Sequence, residues 1–280
     1  MISRVDAIDF VKRVYVTLSV QADLSPNNQI VTCCSRAFVK FLGAAYLESW
    51  ANDLPDAPEL AEAASRLPVL CGLAECEMEK WWCRRFLAGR TLSLDCLEKF
   101  WYFENYQTLV AAERSLLGSA IATRVVFLGA GALPLTAVLL AGLLPHLQVQ
   151  CVDRDPEACE LSSALTQKLG MGDRAKIIQS SAEEVDIQSD DIVICASLLK
   201  APTLYDALAR RGVKTFIVRD AEGLFRLCYK PALVPPIGYR PVGRTTACSF
   251  RINVSRLFSL GATCHKCHPV TPVDRGDYLE

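Results

Sequence analysis

The spacing of hydrophobic positions changes character once along this 280-residue chain, close to residue 120. Before that point no run alternates apolar and polar residues as a strand would, and apolar positions recur near helical spacing. The pattern predicts helices over Asp6 to Ser19, Asn27 to Ala51, Glu59 to Arg66, Pro68 to Ala88, Leu94 to Phe103 and Tyr106 to Leu117. Gly118 closes the last, and Asp53 to Pro58 reads as a loop. From Arg124 onward short apolar runs alternate with helical stretches. Strands are predicted at Val125 to Leu128, Gln148 to Val152, Ala175 to Gln179, Asp191 to Ala196 and Val213 to Val218. Helices are predicted at Leu133 to Leu144, Pro156 to Leu169 and Pro202 to Arg211, with a closing strand pair at 237–242 and 249–258. The expectation is an α/β chain: a helical domain over 1–118, a parallel sheet with an antiparallel edge over 119–260, and a tail over 261–280.

The first strand runs directly into Gly129-Ala130-Gly131, and Asp153 stands at the end of the second. Glycines there let the backbone turn tightly and approach a ligand. An acid roughly 20 residues later is placed to grip ribose hydroxyls. Val125 to Leu144 carries no charge and is long enough to span a bilayer. Its glycines and Pro134 would break a lone span, however, and no basic cluster flanks it.

Composition narrows the function. Formal net charge is −1, which argues against nucleic acid, and 22% charged residues with 51% apolar ones indicate a globular chain. The acids in the first ten residues do not suit a signal peptide, so a cytoplasmic location is expected. The thirteen cysteines then read mostly as reduced, buried small residues. Cys264-His-Lys-Cys-His268 could offer soft metal ligands or be a polar tail; no metal site is assigned.

Other candidates lie at strand ends and in the helical half. Ala182 and Glu183, after the third strand, could face an adenine, or could open a helix with acids in its first turn. Ser197 follows the fourth strand, where a second substrate sits. Arg219 follows the fifth, placed to clamp a carboxylate or to pair with Asp220 or Glu222. Glu75 and Glu79 are four apart on one helix face. With Tyr102 and Tyr106, they could be ordinary core and surface, or carboxylates under apolar cover that accept a proton from an amine.

In order along the chain, Leu70-Cys-Gly-Leu-Ala-Glu75 with Glu79, Phe100-Trp-Tyr-Phe-Glu-Asn-Tyr106, Phe127-Leu-Gly-Ala-Gly-Ala-Leu-Pro-Leu-Thr136, Asp153-Arg-Asp155-Pro and Arg219-Asp-Ala-Glu-Gly223 resemble the signatures of the nicotianamine synthases. The length and the departures resemble the family's bacterial branch, which makes opine-type metallophores. The resemblance implies a Rossmann-like class I S-adenosylmethionine-dependent transferase domain behind a helical substrate or lid domain. It implies transfer of one 3-amino-3-carboxypropyl (aminobutanoyl) group from S-adenosylmethionine to the amine of histidine, with methylthioadenosine leaving. It implies a downstream opine dehydrogenase as partner and is compatible with a homodimer. A small-molecule methyltransferase on the same sheet is the rival, and a non-catalytic nucleoside- or metal-binding protein a third reading. By resemblance, Tyr106 with Glu79 or Glu75 handles the proton. Gly129, Ala130, Gly131, Asp153, Asp155, Ala182 and Glu183 hold the nucleoside, and Arg219, Tyr102 and Ser197 hold substrate.

Overall fold

The computed structural model describes residues 2–118, 124–199, 201, 203–232, 238–249 and 251–261. Helices α1 (Arg4–Ser19), α2 (Gln29–Ala45), α3 (Ala61–Ala88), α4 (Leu94–Leu97) and α5 (Phe103–Leu117) precede the sheet. Ser3 and Asn28 cap the first two, their side chains accepting from backbone amides in the opening turn. Then follow β1 (Arg124–Leu128), α6 (Leu135–Leu143), β2 (Gln148–Asp153), α7 (Pro156–Lys168), β3 (Ala175–Gln179), β4 (Ile192–Cys195), α8 (Leu204–Arg210), β5 (Thr215–Asp220), β6 (Tyr239–Arg244) and β7 (Val254–Leu260).

The seven strands lie in the order β3-β2-β1-β4-β5-β7-β6. The first five are parallel, β7 runs antiparallel to β5, and β6 antiparallel to β7. This is the predicted α/β class, with the sheet of the S-adenosylmethionine-dependent transferases. Val125 and Phe127 face α5 and α6, whereas Val126 and Leu128 face α8, so β1 is apolar on both sides. The strand order reverses between β1 and β4, and the crevice at their carboxyl ends is where such sheets bind ligands.

Two predicted helix boundaries fail for physical reasons. The proposed break at Pro68 does not occur: α3 runs 28 residues through it. Proline removes one helical hydrogen bond, but Leu67 and Pro68 are both buried, and that burial holds the helix together. The predicted helix 94–103 shrinks to α4 and a chain of tight turns, since Phe100 and Tyr102 each drive into the helical core. No helix follows β3; Ser181 to Val185 form a turn, which removes the helix-capping reading of Ala182 and Glu183. The 125–144 stretch is a strand, a loop and a nine-residue helix, and no helix among the described residues is long and apolar enough to cross a membrane. Ile237 and the Cys264 to His268 cluster lie outside the described residues.

Two contacts between the helical half and the sheet-bearing half are especially close. Gly43 on α2 lies so close to the backbone of Ser249 that a Cβ there would collide with its carbonyl oxygen. More centrally, Arg219 on β5 meets the wholly buried Glu113 of α5 in a two-pronged ion pair at 2.8 and 2.9 Å. Thr136 of α6 accepts from the same guanidinium at 2.8 Å, and Ser255 of β7 donates to Glu113 at 2.7 Å. Glu113→Ala leaves a buried cation without its partner, and we expect a loss of about 3–5 kcal/mol in stability by denaturant titration. A loss under 1 kcal/mol would show that water compensates the charge.

Candidate active site

A cavity of about 340 Å³ opens at the carboxyl ends of β1, β2, β4 and β5, under α3 and α5. At its nucleoside end, Gly129 and Ala130 turn back so that their amides both donate to the Val152 carbonyl, at 2.8 and 3.0 Å. Asp153 accepts from the Gly131 amide at 2.8 Å and from the Asp155 amide at 3.0 Å. Each carboxylate oxygen thus keeps a lone pair for a ligand hydroxyl. Gly129, Ala130, Gly131, Asp153, Asp155, Ala182 and Glu183 all line this cavity. Asp155 has a further duty: it caps α7, accepting from Glu157 and Ala158, and pairs with Lys80 of α3 at 2.6 Å.

The helical half delivers its groups to the same space. Tyr106 donates to Glu79 at 2.6 Å. Glu75, one turn earlier on α3, accepts from Tyr229 at 2.9 Å, and Tyr229 meets the hydroxyl of Tyr102 at 3.2 Å. The two glutamates therefore have separate tyrosines. Glu79 also rests against the glycine loop. A Cβ on Gly131, where φ is 69°, would overlap a Glu79 oxygen and sit 3.2 Å from its Cδ.

Burial governs the charge state here. Glu79 is 8% exposed, and burial pushes its carboxyl up to about 8. The adjacent Glu75 adds to the rise, and the Tyr106 hydrogen bond opposes it. Burial also pushes Glu75 up to about 7, against the pull of Tyr229, Arg219 and Tyr106. The Tyr106 hydroxyl is held far above its ordinary value by burial and by the two glutamates, so it remains a phenol that donates rather than a free base.

Arg219 lines the cavity, but its sequence-derived rivals for partner are elsewhere: Asp220 and Glu222 both pair with Arg256. The guanidinium instead spends Nε and Nη2 on Glu113 and Thr136, with Nη1 unbonded among the described residues. Ser197 lines the wall after β4 and accepts from the Asn253 amide. Sequence reasoning missed Tyr229, Asn105, Arg251 and Asn253, which also line the cavity. Tyr229 stands just past a short 3-10 helix (Gly223–Leu227), where no spacing marks a residue as inward-facing; the strand predicted over 249–258 begins only at Val254, so Arg251 and Asn253 lie in the segment ahead of β7 and turn to the cavity. Among the described residues no cluster of three metal-ligating side chains occurs.

Residues 7–203 match the family described as nicotianamine synthase protein. The chain belongs to the nicotianamine synthase family. Membership makes it an S-adenosylmethionine-dependent transferase, as the residues implied, with S-adenosylmethionine as co-substrate. Among similar proteins, a nicotianamine synthase-like 5 protein of Hordeum vulgare is 28% identical over 73% of this chain and 74% of its own length. An L-histidine 2-aminobutanoyltransferase of Yersinia pestis is 32% identical over 44% of this chain and 47% of its own. Crystal structures of a single-site mutant of MtNAS in complex with S-adenosylmethionine, and of MtNAS in complex with MTA and tNA, superpose with TM-scores of 0.78 and 0.77. Each is 20% identical and covers 91% of this chain and 98% of its own, so the nicotianamine synthase fold extends through both halves.

Two measurements test the site. Gly131→Ala forces a Cβ into the Glu79 carboxylate and strains a left-handed backbone, so S-adenosylmethionine affinity by calorimetry should fall by at least roughly tenfold. Unchanged affinity would mean that the loop and α3 separate freely. The second is a pH series. Glu75 and Glu79 have folded values above their ordinary 4.5, so the fold favours their neutral forms. Their contribution is complete below pH 4.5 and is lost as pH rises to about 8. The melting temperature of the unliganded protein should therefore fall across that window, and less steeply in Glu79→Gln. Parallel slopes in the two proteins would show that Glu79 ionises normally.

Proposed function

We propose that this nicotianamine synthase-family enzyme transfers one 3-amino-3-carboxypropyl group from S-adenosylmethionine to the α-amine of histidine and releases methylthioadenosine. The observation that carries the reading is the Tyr106–Glu79 hydrogen bond held against Gly131. It sets a proton acceptor beside the loop that receives the nucleoside. The name of the Yersinia pestis relative supports histidine as acceptor.

The sulfonium of S-adenosylmethionine is already activated, so the protein has to orient the amine and remove its proton. Glu79 gives up its own proton once the cationic donor lies nearby, because opposite charge favours the carboxylate. The acceptor ammonium passes a proton to the Tyr106 oxygen while the Tyr106 proton moves to Glu79. The freed amine lone pair attacks the carbon γ to the donor's carboxyl-bearing chain terminus. The carbon–sulfur bond breaks, and its electron pair leaves on methylthioadenosine. Asp153 holds the ribose, Ala182 and Glu183 flank the base, and Nη1 of Arg219 meets the donor's carboxylate. Glu75 with Tyr229 and Tyr102 closes the opposite wall. The product, an amine carrying two amino-acid head groups, is a substrate for reductive condensation with a 2-oxo acid by an opine dehydrogenase. The chain acts in the cytoplasm within opine-type metallophore biosynthesis, and a homodimer is compatible with it.

Mass spectrometry of purified protein incubated with S-adenosylmethionine and L- or D-histidine tests this reading. Methylthioadenosine and histidine heavier by one aminobutanoyl unit are expected. S-adenosylhomocysteine with a methylated acceptor would replace it with methyl transfer, and multiply extended or ring-closed products would sink the single transfer. Tyr106→Phe should lower kcat by roughly 10²-fold or more while S-adenosylmethionine affinity stays within about twofold, because the hydroxyl serves the proton and not the nucleoside. Equal losses in both would make Tyr106 a packing residue.

A further inference from the structure

Arg251 is a buried arginine without a counter-ion among the described residues. It is 9% exposed and lines the cavity. Its Nη1 donates to the Thr108 carbonyl at 3.4 Å and its Nη2 to the Thr246 carbonyl. Its Nε is buried with no partner, and among the described residues no carboxylate pairs with it. Arg219, on the neighbouring strand β5, shows the opposite arrangement, with Glu113 neutralising it. An uncompensated guanidinium is expensive to bury, and two neutral carbonyls do not cancel a full charge. A cavity-lining cation left in this state is completed by an anionic ligand.

The surrounding groups narrow the anion. Asn253 is 8% exposed and joins Ser197 through its amide. The side-chain oxygen of Asn105, next to Tyr106 on α5, is buried without a donor. A fork of positive N–H groups beside an unfilled acceptor matches the carboxylate and amine of an α-amino acid.

Position in the sheet separates acceptor from donor. Arg251 leads into β7, whereas Asp153 ends β2; four interstrand steps lie between them in the order β2-β1-β4-β5-β7. At about 4.8 Å per step this is roughly 19 Å. Of these two arginines, Arg219 on β5 stands one such step nearer to Asp153 than Arg251 does, so the donor's carboxylate falls to Arg219 and Arg251 is left for the acceptor.

Resting on the transfer reading above, we propose that Arg251, with Asn253 and Ser197 as support and Asn105 as amine acceptor, seats the α-carboxylate of the acceptor amino acid. The seat makes Arg251 a specificity-determining residue: the enzyme takes α-amino acids and rejects the corresponding decarboxylated amines.

The test compares wild type with Arg251→Ala and Arg251→Lys, using L-histidine and histamine, the same amine without its carboxylate. In Arg251→Ala the acceptor KM should rise by at least roughly tenfold, the KM for S-adenosylmethionine should stay within about twofold, and the preference for histidine over histamine should vanish. Arg251→Lys, which keeps the charge and loses the fork, should lie between. If Arg251→Ala fails to fold, judged by lost S-adenosylmethionine binding, the lysine variant decides, and an unchanged acceptor KM in it overturns the seat. A rise in the donor's KM alone would overturn it in favour of the methionyl carboxylate, and an unchanged preference would overturn it outright. If wild type releases no methylthioadenosine with any amino acid, the transfer reading fails separately. Calorimetry on protein saturated with methylthioadenosine then decides the seat: binding of L-histidine but not histamine upholds it, and binding of neither overturns it.

Discussion

A carboxylate and a guanidinium withdrawn from water together must stay together, and Glu113 and Arg219 impose that condition on this molecule. Glu113 belongs to α5, Arg219 to β5, Thr136 to α6 and Ser255 to β7, and all four touch in one hydrogen-bonded knot. Sliding α5 along the sheet by one helical turn would strand both charges, so the knot fixes the register of the helical layer over the strands. That register brings Asn105 and Tyr106, two turns up the same helix from Glu113, over the crevice between β1 and β4. Apolar contact between α5 and α6 tolerates small shifts; a two-pronged ion pair does not.

The cavity is built around a conflict of like charges. Glu75, Glu79 and Asp153 converge on one cavity, and burial makes the two glutamates resist ionising. Tyrosine hydroxyls provide each glutamate with one donor, which relieves the cost of burial without supplying a neutralising cation. Lys80, the cation nearest in sequence, is turned to Asp155 and Glu157 instead, where it ties α3 to the start of α7. In the transfer reading proposed above, the positive charge that would balance the glutamates comes with the sulfonium of the donor.

The sheet was legible because its signals are local. Apolar runs of four to six residues, a Gly-Ala-Gly turn and an acid at a strand end each carry their meaning within a few positions, and the limits of the five parallel strands moved by at most two residues. The helical half was less so. Pro68 reads as a stop, and only the burial around it explains why α3 continues; Phe100 to Tyr102 read as helix, and only their separate destinations in the core explain the turns. At the site, Glu79 and Tyr106 could be named from the chain, but not that Tyr106 chooses Glu79 over Glu75, since a spacing of four leaves both on one face. The partner of Arg219 was invisible, because Glu113 lies 106 residues away on a helix whose pattern gives no sign that this acid faces inward. Arg251 was invisible for the same reason.

Gly43 gives the architecture a further meaning. A backbone-to-backbone approach joins α2 to Ser249, two residues from Arg251, although the two segments belong to opposite ends of the described chain, one ahead of the sheet and one at its last strand. The strand-proximal segment that shapes the far end of the cavity is consequently not a portable cassette. Exchanging it between relatives without the matching face of α2 would leave a gap or a clash at that crossing. Diversification of such enzymes would then have to proceed by paired changes in two distant stretches of the gene rather than by swapping one loop.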